Sequence, residues 1–167
     1  MDKINHDIMQ DAKTPIVLAT EYIDLELPSG TLWAATNVGA ESIVDEGLFL
    51  RHYEIEKNGI IIPTKNQFDE LIENTTYKFM VKYNNCNVCG GLFIGKNGKE
   101  LFFPACGYID VDCDARFAQC KNFIGTYWSD FEVADLANTF LFGDDGTYIS
   151  INNRYKYMFN VRQIINK

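Results

Sequence analysis

The sequence predicts an α+β domain built from short antiparallel strands and hairpins, together with one or two helices. Three observations support this fold class. Aromatic residues make up 14% of the 167 residues, and bulky aromatic side chains favour strands. Tight-turn pairs at Asn97-Gly98 and Asp145-Gly146 separate apolar segments, which is typical of hairpins. One strong helix start precedes both hairpins, and helices kept apart from a run of antiparallel strands define this class.

The N-terminal half of the chain predicts two short strands. Residues 21–28 alternate polar and apolar side chains, which indicates a half-buried strand. Ser29-Gly30 predicts a turn, and residues 31–35 continue as a second strand. Residues 41–58 show no clean period and are predicted to be mostly loop.

A helix is predicted over residues 65–73. Thr64 follows a proline and stands three residues before Gln67. This is capping-box spacing, in which two side chains satisfy two free backbone N–H groups. The apolar residues that follow share one helical face; they are Phe68, Leu71 and Ile72.

Two hairpins and a closing strand are predicted after the helix. Gly at each apex supplies the positive φ angle that a two-residue hairpin turn needs. The predicted strands span residues 91–95 and 100–103 in the first hairpin, 138–142 and 147–151 in the second, and 158–165 at the end of the chain.

Length and composition limit the classes of function. The chain is predicted to form one domain, residues 21–167, preceded by an N-terminal arm, residues 1–20, that is a possible assembly segment. The formal net charge of −8 and the lack of a basic run argue against a nucleic-acid partner. No apolar stretch is long enough to span a bilayer, so no membrane association is predicted. The N-terminal sequence lacks the apolar core of a signal peptide, which predicts a protein that is cytoplasmic when made.

Five segments, taken in chain order, resemble one protein family. They are DLELPSGTLWAATNVGA at 24–40, IPTKNQFDEL at 62–71, LFFPACGY at 101–108, GTYWS at 125–129 and NVRQI at 160–164. Together they resemble the Fibrobacter succinogenes major paralogous domain family of Bacteroidetes and their phages. The resemblance covers about residues 21–165, and its first segment is the most specific.

The resemblance implies a C-type-lectin-like fold, related to that of formylglycine-generating enzymes. In this fold the two ends of the chain pair, and long loops on one side carry ligand recognition. The oxidase relatives use paired cysteines near the end of the chain, whereas this sequence has no cysteine after Cys120. The resemblance therefore favours a binding domain over an oxidase. Trp33 and Trp128 lie in its segments and are predicted to be core residues.

The five cysteines allow a metal site without specifying one. Cys86 and Cys89 have the two-residue gap of a zinc knuckle, and other cysteines could complete four thiolates. A second Cys-x-x-Cys pair is absent from the sequence. Free thiols, with Cys106 in the core, are the favoured alternative. No metal and no cofactor are therefore predicted. The remaining cysteines are Cys113 and Cys120.

The run from Asp110 to Asp114 places three carboxylates at alternate positions, as calcium loops do. An EF-hand needs Gly at the sixth position and Glu at the twelfth, where this chain has Ala115 and Lys121. An irregular calcium site and a solvated acidic loop both remain open, and the solvated loop is favoured.

The sequence offers little for catalysis. His6 and His52 have no neighbouring Ser or Cys in a recognisable nucleophile motif. A glycine-rich phosphate loop is also absent. No catalytic residues are predicted.

The segment from Ser129 to Tyr157 is the candidate binding region. It combines amide, carboxylate and flat aromatic side chains, which suit sugar or protein surfaces. The alternative is that its Asn and Asp residues only form turns and that its Tyr residues only pack. The predicted ligand-binding residues are Asp130, Asn138, Asn153, Tyr155 and Tyr157.

The sequence thus predicts a non-enzymatic binding or structural module that recognises a glycan or a protein partner. A phage virion component, such as a head or tail decoration or a fibre, or else a surface protein, is the expected setting. Residues 1–20 would mediate homo-oligomer or virion assembly. The alternatives are a metal-dependent oxidase of the formylglycine-generating type and a bacterial cytoplasmic scaffold.

Overall fold

The computed structural model describes residues 16–113 and 118–167. Short strands in antiparallel sheets dominate it, with two short helices, so the α+β class is confirmed. No helix in these two ranges is long and apolar enough to cross a membrane. The helices are α1 (His52–Lys57) and α2 (Lys65–Asn74). The strands are β1 (Tyr22–Asp24), β2 (Leu32–Asn37), β3 (Thr75–Met80), β4 (Gly90–Gly95), β5 (Glu100–Pro104), β6 (Ile109–Asp110), β7 (Ile124–Val133), β8 (Leu136–Gly143), β9 (Gly146–Asn153), β10 (Tyr157–Met158) and β11 (Arg162–Ile165).

The first and last strands of the domain form one sheet, with the order β1-β2-β11. Both predicted N-terminal strands are present, although the first spans only Tyr22–Asp24 of the predicted residues 21–28, and Gly30 turns the chain between them at a φ of 74°. Strand β11 pairs antiparallel with β2, so that Ile164 lies opposite Trp33. Residues from the two ends of the domain therefore share one layer of the core.

Both predicted hairpins are confirmed. The pairing of β4 with β5 surrounds Asn97-Gly98, where Gly98 has a φ of 77°. In the second hairpin, Gly143 pairs with Gly146, which makes Asp144 and Asp145 the turn residues, one position earlier than predicted. Each hairpin has a third strand beside it, β3 next to β4 and β7 next to β8, which the alternation of polar and apolar residues does not predict.

Helix α2 begins as predicted. The Thr64 backbone N–H donates to Gln67 Oε1 at 2.9 Å, and the Gln67 backbone N–H donates to Thr64 Oγ1 at 3.3 Å. Phe68 and Leu71 are fully buried, so the predicted apolar face is the buried face.

The prediction of loop over residues 41–58 is wrong for α1. This helix is about one and a half turns long, too short to show a period. Its start is fixed by Glu54, whose Oε2 accepts from the Arg51 backbone N–H at 2.7 Å. His52 and Ile55 are its buried residues.

The single strand predicted over residues 158–165 is also wrong. The chain instead forms β10, which pairs with β6, and then β11. Between these strands, Phe159 bridges to Leu50 and Asn160 bridges to Tyr127. The chain leaves one sheet and joins another here, and the continuous apolar residues on both sides of this point predict a single strand.

The sheet β7-β8-β9 lies between two aromatic clusters. Tyr127 and Trp128 follow each other in β7 and therefore point to opposite faces. Tyr127 belongs to the cluster that packs under α2, and Trp128 packs with Phe159 in the second cluster. The core predictions for Trp33, Trp128 and Cys106 are confirmed, since each is at most 2% exposed.

Most of the predicted N-terminal arm, residues 1–15, lies outside the described residues. Residues 16–20 run along the domain, where the Gly39 backbone N–H donates to the Val17 carbonyl and the Ala19 backbone N–H donates to Gln163 Oε1.

Candidate functional site

Four side chains from three parts of the chain form an aromatic ledge on the surface, which we define as Tyr53, Phe131, Arg154 and Tyr155. The Tyr53 and Tyr155 rings stack with centroids 6.3 Å apart and planes 29° apart. The Arg154 guanidinium carbon lies 5.3 Å from the centre of the Phe131 ring and 5.5 Å from that of Tyr155. The guanidinium therefore joins the rings into one surface.

Each ledge residue is held by its local structure. Tyr53 is on the outer side of α1, whereas its neighbour His52 is buried. Phe131 follows an irregularity in the pairing of β7 with β8, which turns its side chain out of the regular alternation. Arg154 pairs with Glu56, and its backbone N–H donates to the Asp135 carbonyl at 2.9 Å.

The ledge rings are unusually exposed for aromatic side chains. Phe131 and Tyr155 are each 49% exposed and Tyr53 is 37% exposed, whereas Arg154 beneath them is 8% exposed. A buried guanidinium under exposed rings holds the rings in place at a low cost in side-chain entropy on binding. Such a surface is preorganised for contact with a flat apolar partner.

Of the predicted binding residues, Tyr155 lies on the ledge and Asn153 supports it. Asn153 Oδ1 accepts from the backbone N–H groups of Tyr155 at 2.9 Å and of Lys156 at 3.0 Å. This turn geometry sets the position of Tyr155. Tyr157 instead packs in the second aromatic cluster, where its ring stacks on Phe159 at 5.6 Å.

Asp130 and Asn138 form a separate polar group at the start of α2. Asp130 Oδ1 accepts from the backbone N–H of Lys65 at 2.9 Å and from Asn138 Nδ2 at 3.0 Å. Asn138 Nδ2 also donates to Glu132 Oε2 at 2.8 Å. Asn138 is only 3% exposed and its side chain orients two carboxylates, so its contact with a ligand stays a prediction.

His52 lies buried below the ledge. Its Nε2–H donates to the Ser129 carbonyl at 2.9 Å, and its ring meets Trp128 edge to face at 5.4 Å. Burial, with a smaller effect of the nearby Arg154 charge, lowers the pKa of His52 below its usual value, although the Ser129 bond opposes this. His52 is therefore a neutral, packed residue that supports the ledge from below.

This lowered pKa predicts a pH dependence of stability. The unfolded chain protonates His52 below a pH of about 6.5 while the folded chain does not, so stability present above that pH is lost as the pH falls. We expect the urea midpoint of the wild type to fall more between about pH 7.5 and pH 5.5 than that of His52→Gln, whose amide can still donate to Ser129. Equal falls in the two proteins would contradict the assignment.

A cavity, distinct from the ledge, lies around Cys106. Its volume is about 350 Å³, and its lining includes Cys106, Glu46, Lys121 and Asn122. Lys121 Nζ pairs with Glu46 Oε2 at 2.7 Å. Burial raises the pKa of the Cys106 thiol to about 12, so it is protonated at neutral pH and is a poor nucleophile.

The metal-ligand candidates are dispersed. Within residues 16–113 and 118–167, no group of three or more His, Cys, Asp or Glu side chains is arranged to hold a metal ion. Cys86 and Cys89 are half-buried, and Cys106 is buried. Asp110 and Asp112 lie 3.7 and 3.6 Å from Lys156 Nζ, and Asp114 is outside the described residues.

Of the ledge residues, Tyr155 is one of the predicted ligand-binding residues, Phe131 and Arg154 lie in the predicted binding region 129–157 without being among those residues, and Tyr53 lies outside that region. Tyr53 lies in the segment predicted as loop, and Phe131 follows an irregular strand pairing that no residue type indicates.

Comparison with protein-family models, curated proteins and solved structures found no match to this chain. A functional proposal for this chain therefore rests on the chemistry of the ledge.

Proposed function

We propose that this domain is a non-enzymatic binding module and that the aromatic ledge is its recognition surface, with a glycan as the partner. The observation that carries the proposal is the clustering of three exposed rings, of which Phe131 and Tyr155 lie against the buried Arg154 guanidinium and Tyr53 stacks on Tyr155. A protein partner is the second outcome that the experiments below separate.

The chemistry of the ledge suits a sugar. The apolar face of a pyranose ring stacks on an exposed aromatic ring, and Tyr hydroxyls and carboxylates bond its hydroxyl groups. Tyr53 and Tyr155 provide both kinds of contact. Glu56, half-exposed beside Arg154, adds a carboxylate at the rim.

Two features of the chain support a non-enzymatic role. The buried His52 is committed to packing and to the Ser129 carbonyl, and the Cys106 thiol is protonated at neutral pH. General acid–base and nucleophilic catalysis need groups whose pKa lies near the working pH and which reach the substrate. Neither residue fits that need.

The wider setting rests on the resemblance. We propose a C-type-lectin-like fold, supported by the pairing of β2 with β11 at the two ends of the domain. A phage virion component or surface protein is the setting proposed for it, with residues 1–20 in assembly. The genes adjacent to this one test the setting, since capsid, portal or tail genes are expected beside it.

Binding at the ledge is tested on a glycan array. The wild type is expected to bind a subset of immobilised glycans, and Phe131→Ala with Tyr155→Ala is expected to lose that binding, because two of the three stacking rings are removed. Val81→Ala is the control, since Val81 is 75% exposed and is not a ledge residue. Unchanged melting temperatures of both variants show that the fold is intact.

Two results would contradict the proposal. Glycan binding that survives the loss of both rings would move the site away from the ledge. A wild-type protein that binds no glycan on the array would exclude the sugar and leave a protein partner.

A further inference from the structure

The buried ring of His52 uses only one of its two nitrogens. A carbonyl oxygen can only accept a hydrogen bond, so the contact of Nε2 with the Ser129 carbonyl at 2.9 Å places the proton of the neutral ring on Nε2. Nδ1 then carries a lone pair, and this buried atom has no hydrogen-bond partner among residues 16–113 and 118–167. An unsatisfied buried polar atom is unfavourable, so a change that gives Nδ1 a partner is favoured.

The carboxylate of Glu56 lies between His52 and Arg154. Its Oε1 is 3.6 Å from Nδ1 of His52, one helical turn earlier on α1. At this distance two acceptors face each other, so neutral His52 makes no hydrogen bond there. The other oxygen, Oε2, pairs with Arg154 Nη2. Glu56 therefore holds Arg154 while it lies next to a group that becomes a competing donor once it gains a proton.

The position of the ledge rings depends on this pair. The guanidinium carbon of Arg154 lies 5.3 Å from the centre of the Phe131 ring and 5.5 Å from that of Tyr155. Arg154 Nε is buried and makes no hydrogen bond within the described part of the chain. A buried charge that loses its partner is strongly unfavourable. The Glu56 carboxylate is thus what keeps the guanidinium beneath the rings.

We propose that protonation of His52 switches the ledge off. The imidazolium donates from Nδ1 to Glu56 Oε1, and an approach of about 0.8 Å brings this contact to the length of a charge-assisted hydrogen bond. Two positive charges then share one carboxylate, and their repulsion displaces Arg154 from beneath its rings. Without that support the rings are no longer preorganised, and the ligand is released. The switch rests on the proposed function, because it regulates binding at the ledge.

The groups around His52 determine the pH at which the switch acts. Within the two described ranges, the charged groups that face the ring are Glu56 on its own helix, Asp130 on β7 and Arg154 after β9. Burial holds the pKa of His52 below its usual value of about 6.5, and Arg154 adds to this effect. The hydrogen bond to the Ser129 carbonyl and the two carboxylates oppose it. The folded chain therefore keeps His52 neutral at neutral pH and protonates it only in acid.

The first test needs no ligand. Side-chain NMR of the full chain from about pH 7.5 to pH 4.5 is expected to show the His52 ring changing together with the Arg154 Nε–H and the Tyr155 ring. His6→Gln, which removes the other histidine, is expected to keep this transition, whereas His52→Gln is expected to abolish it. A folded chain in which His52 never protonates would overturn the proposal. So would protonation that leaves the Arg154 and Tyr155 signals unchanged.

The second test measures binding of an array-selected glycan at about pH 7.5 and at the pH where NMR shows His52 protonated. Affinity of the wild type and of His6→Gln is expected to fall at least about tenfold between the two. For His52→Gln, the ratio of its own two affinities is expected to stay within about twofold. Glu56→Gln is expected to bind more weakly at both pH values with a similarly flat ratio, because the shared carboxylate is gone.

Equal pH ratios in the wild type and His52→Gln would overturn the switch while leaving the ledge as the binding surface. A wild type that binds no glycan would instead contradict the proposed function, and the NMR transition would still decide whether His52 controls the position of Arg154.

Discussion

Replacing Arg162 with methionine is expected to lower the free energy of unfolding by on the order of 3 kcal/mol, because several buried acceptors then lose their donor. Arg162 is fully buried in β11. Its Nη1 donates to the carbonyls of Ala34 and Ala35, both at 2.9 Å, and its Nη2 donates to the Phe102 carbonyl at 3.0 Å. One side chain thus joins three strands of two sheets.

The guanidinium shape, and not only its charge, is what the site requires. Arg162 Nε donates to Asn37 Oδ1 at 3.0 Å, and the guanidinium carbon lies 4.4 Å from the centre of the Phe103 ring. Lysine has no planar fork to meet these acceptors. Arg162→Lys keeps the positive charge but is still expected to lower the free energy of unfolding. If only the charge of Arg162 mattered, this variant would be as stable as the wild type.

Urea unfolding followed by tryptophan fluorescence measures this effect. Lys78→Met is the control, since Lys78 is exposed on β3 and its loss is expected to change stability by less than about 0.5 kcal/mol. A stability of Arg162→Met equal to that of the control would show that the acceptors find other donors, and the account of this layer would be wrong.

Replacing Phe68 with alanine is expected to cost about 3–5 kcal/mol, the usual range for removing a buried phenylalanine. Phe68 is fully buried on α2. Its ring stacks on Phe140 at 4.4 Å with planes 18° apart, and lies 5.2 Å from the Trp33 ring. The cavity left behind would open between the helix and two sheets, where neighbouring strands cannot collapse into it.

Thermal and urea unfolding check this second effect. Phe123→Ala is the matched control, because Phe123 is 72% exposed and its removal opens no cavity. Phe68→Leu is expected to recover part of the lost stability by refilling the volume. Equal stability of Phe68→Ala and Phe123→Ala would mean that α2 does not anchor the core.

The elements that could be predicted from the sequence are those with local causes. The cap of α2 and the two hairpin turns depend on residues within three positions of each other in the chain, such as Thr64 with Gln67 and Asn97 with Gly98. The core positions of Trp33 and Trp128 followed from their place in the resembling segments. Local chemistry therefore predicted the cap and the turns, and the resemblance predicted the two core tryptophans.

The parts that escaped prediction depend on distant contacts. Strand β7 carries a regular start and an irregular end, and only pairing with β8 reveals where the alternation breaks. The ledge unites Tyr53 of α1 with Phe131 and Tyr155, more than seventy positions away in the sequence. Asn138 is predicted to contact a ligand because its side-chain type suits binding, whereas its burial depends on the fold around it, which the sequence does not show.

The affinity of one array-selected glycan for three matched proteins tests the central claim most directly. Titration calorimetry compares the wild type, Phe131→Ala with Tyr155→Ala, and Val81→Ala. If the ledge is the recognition surface, the double variant binds at least about tenfold more weakly than the wild type, as expected for the loss of central aromatic contacts, and Val81→Ala binds equally well. Equal affinity of all three proteins would contradict the account.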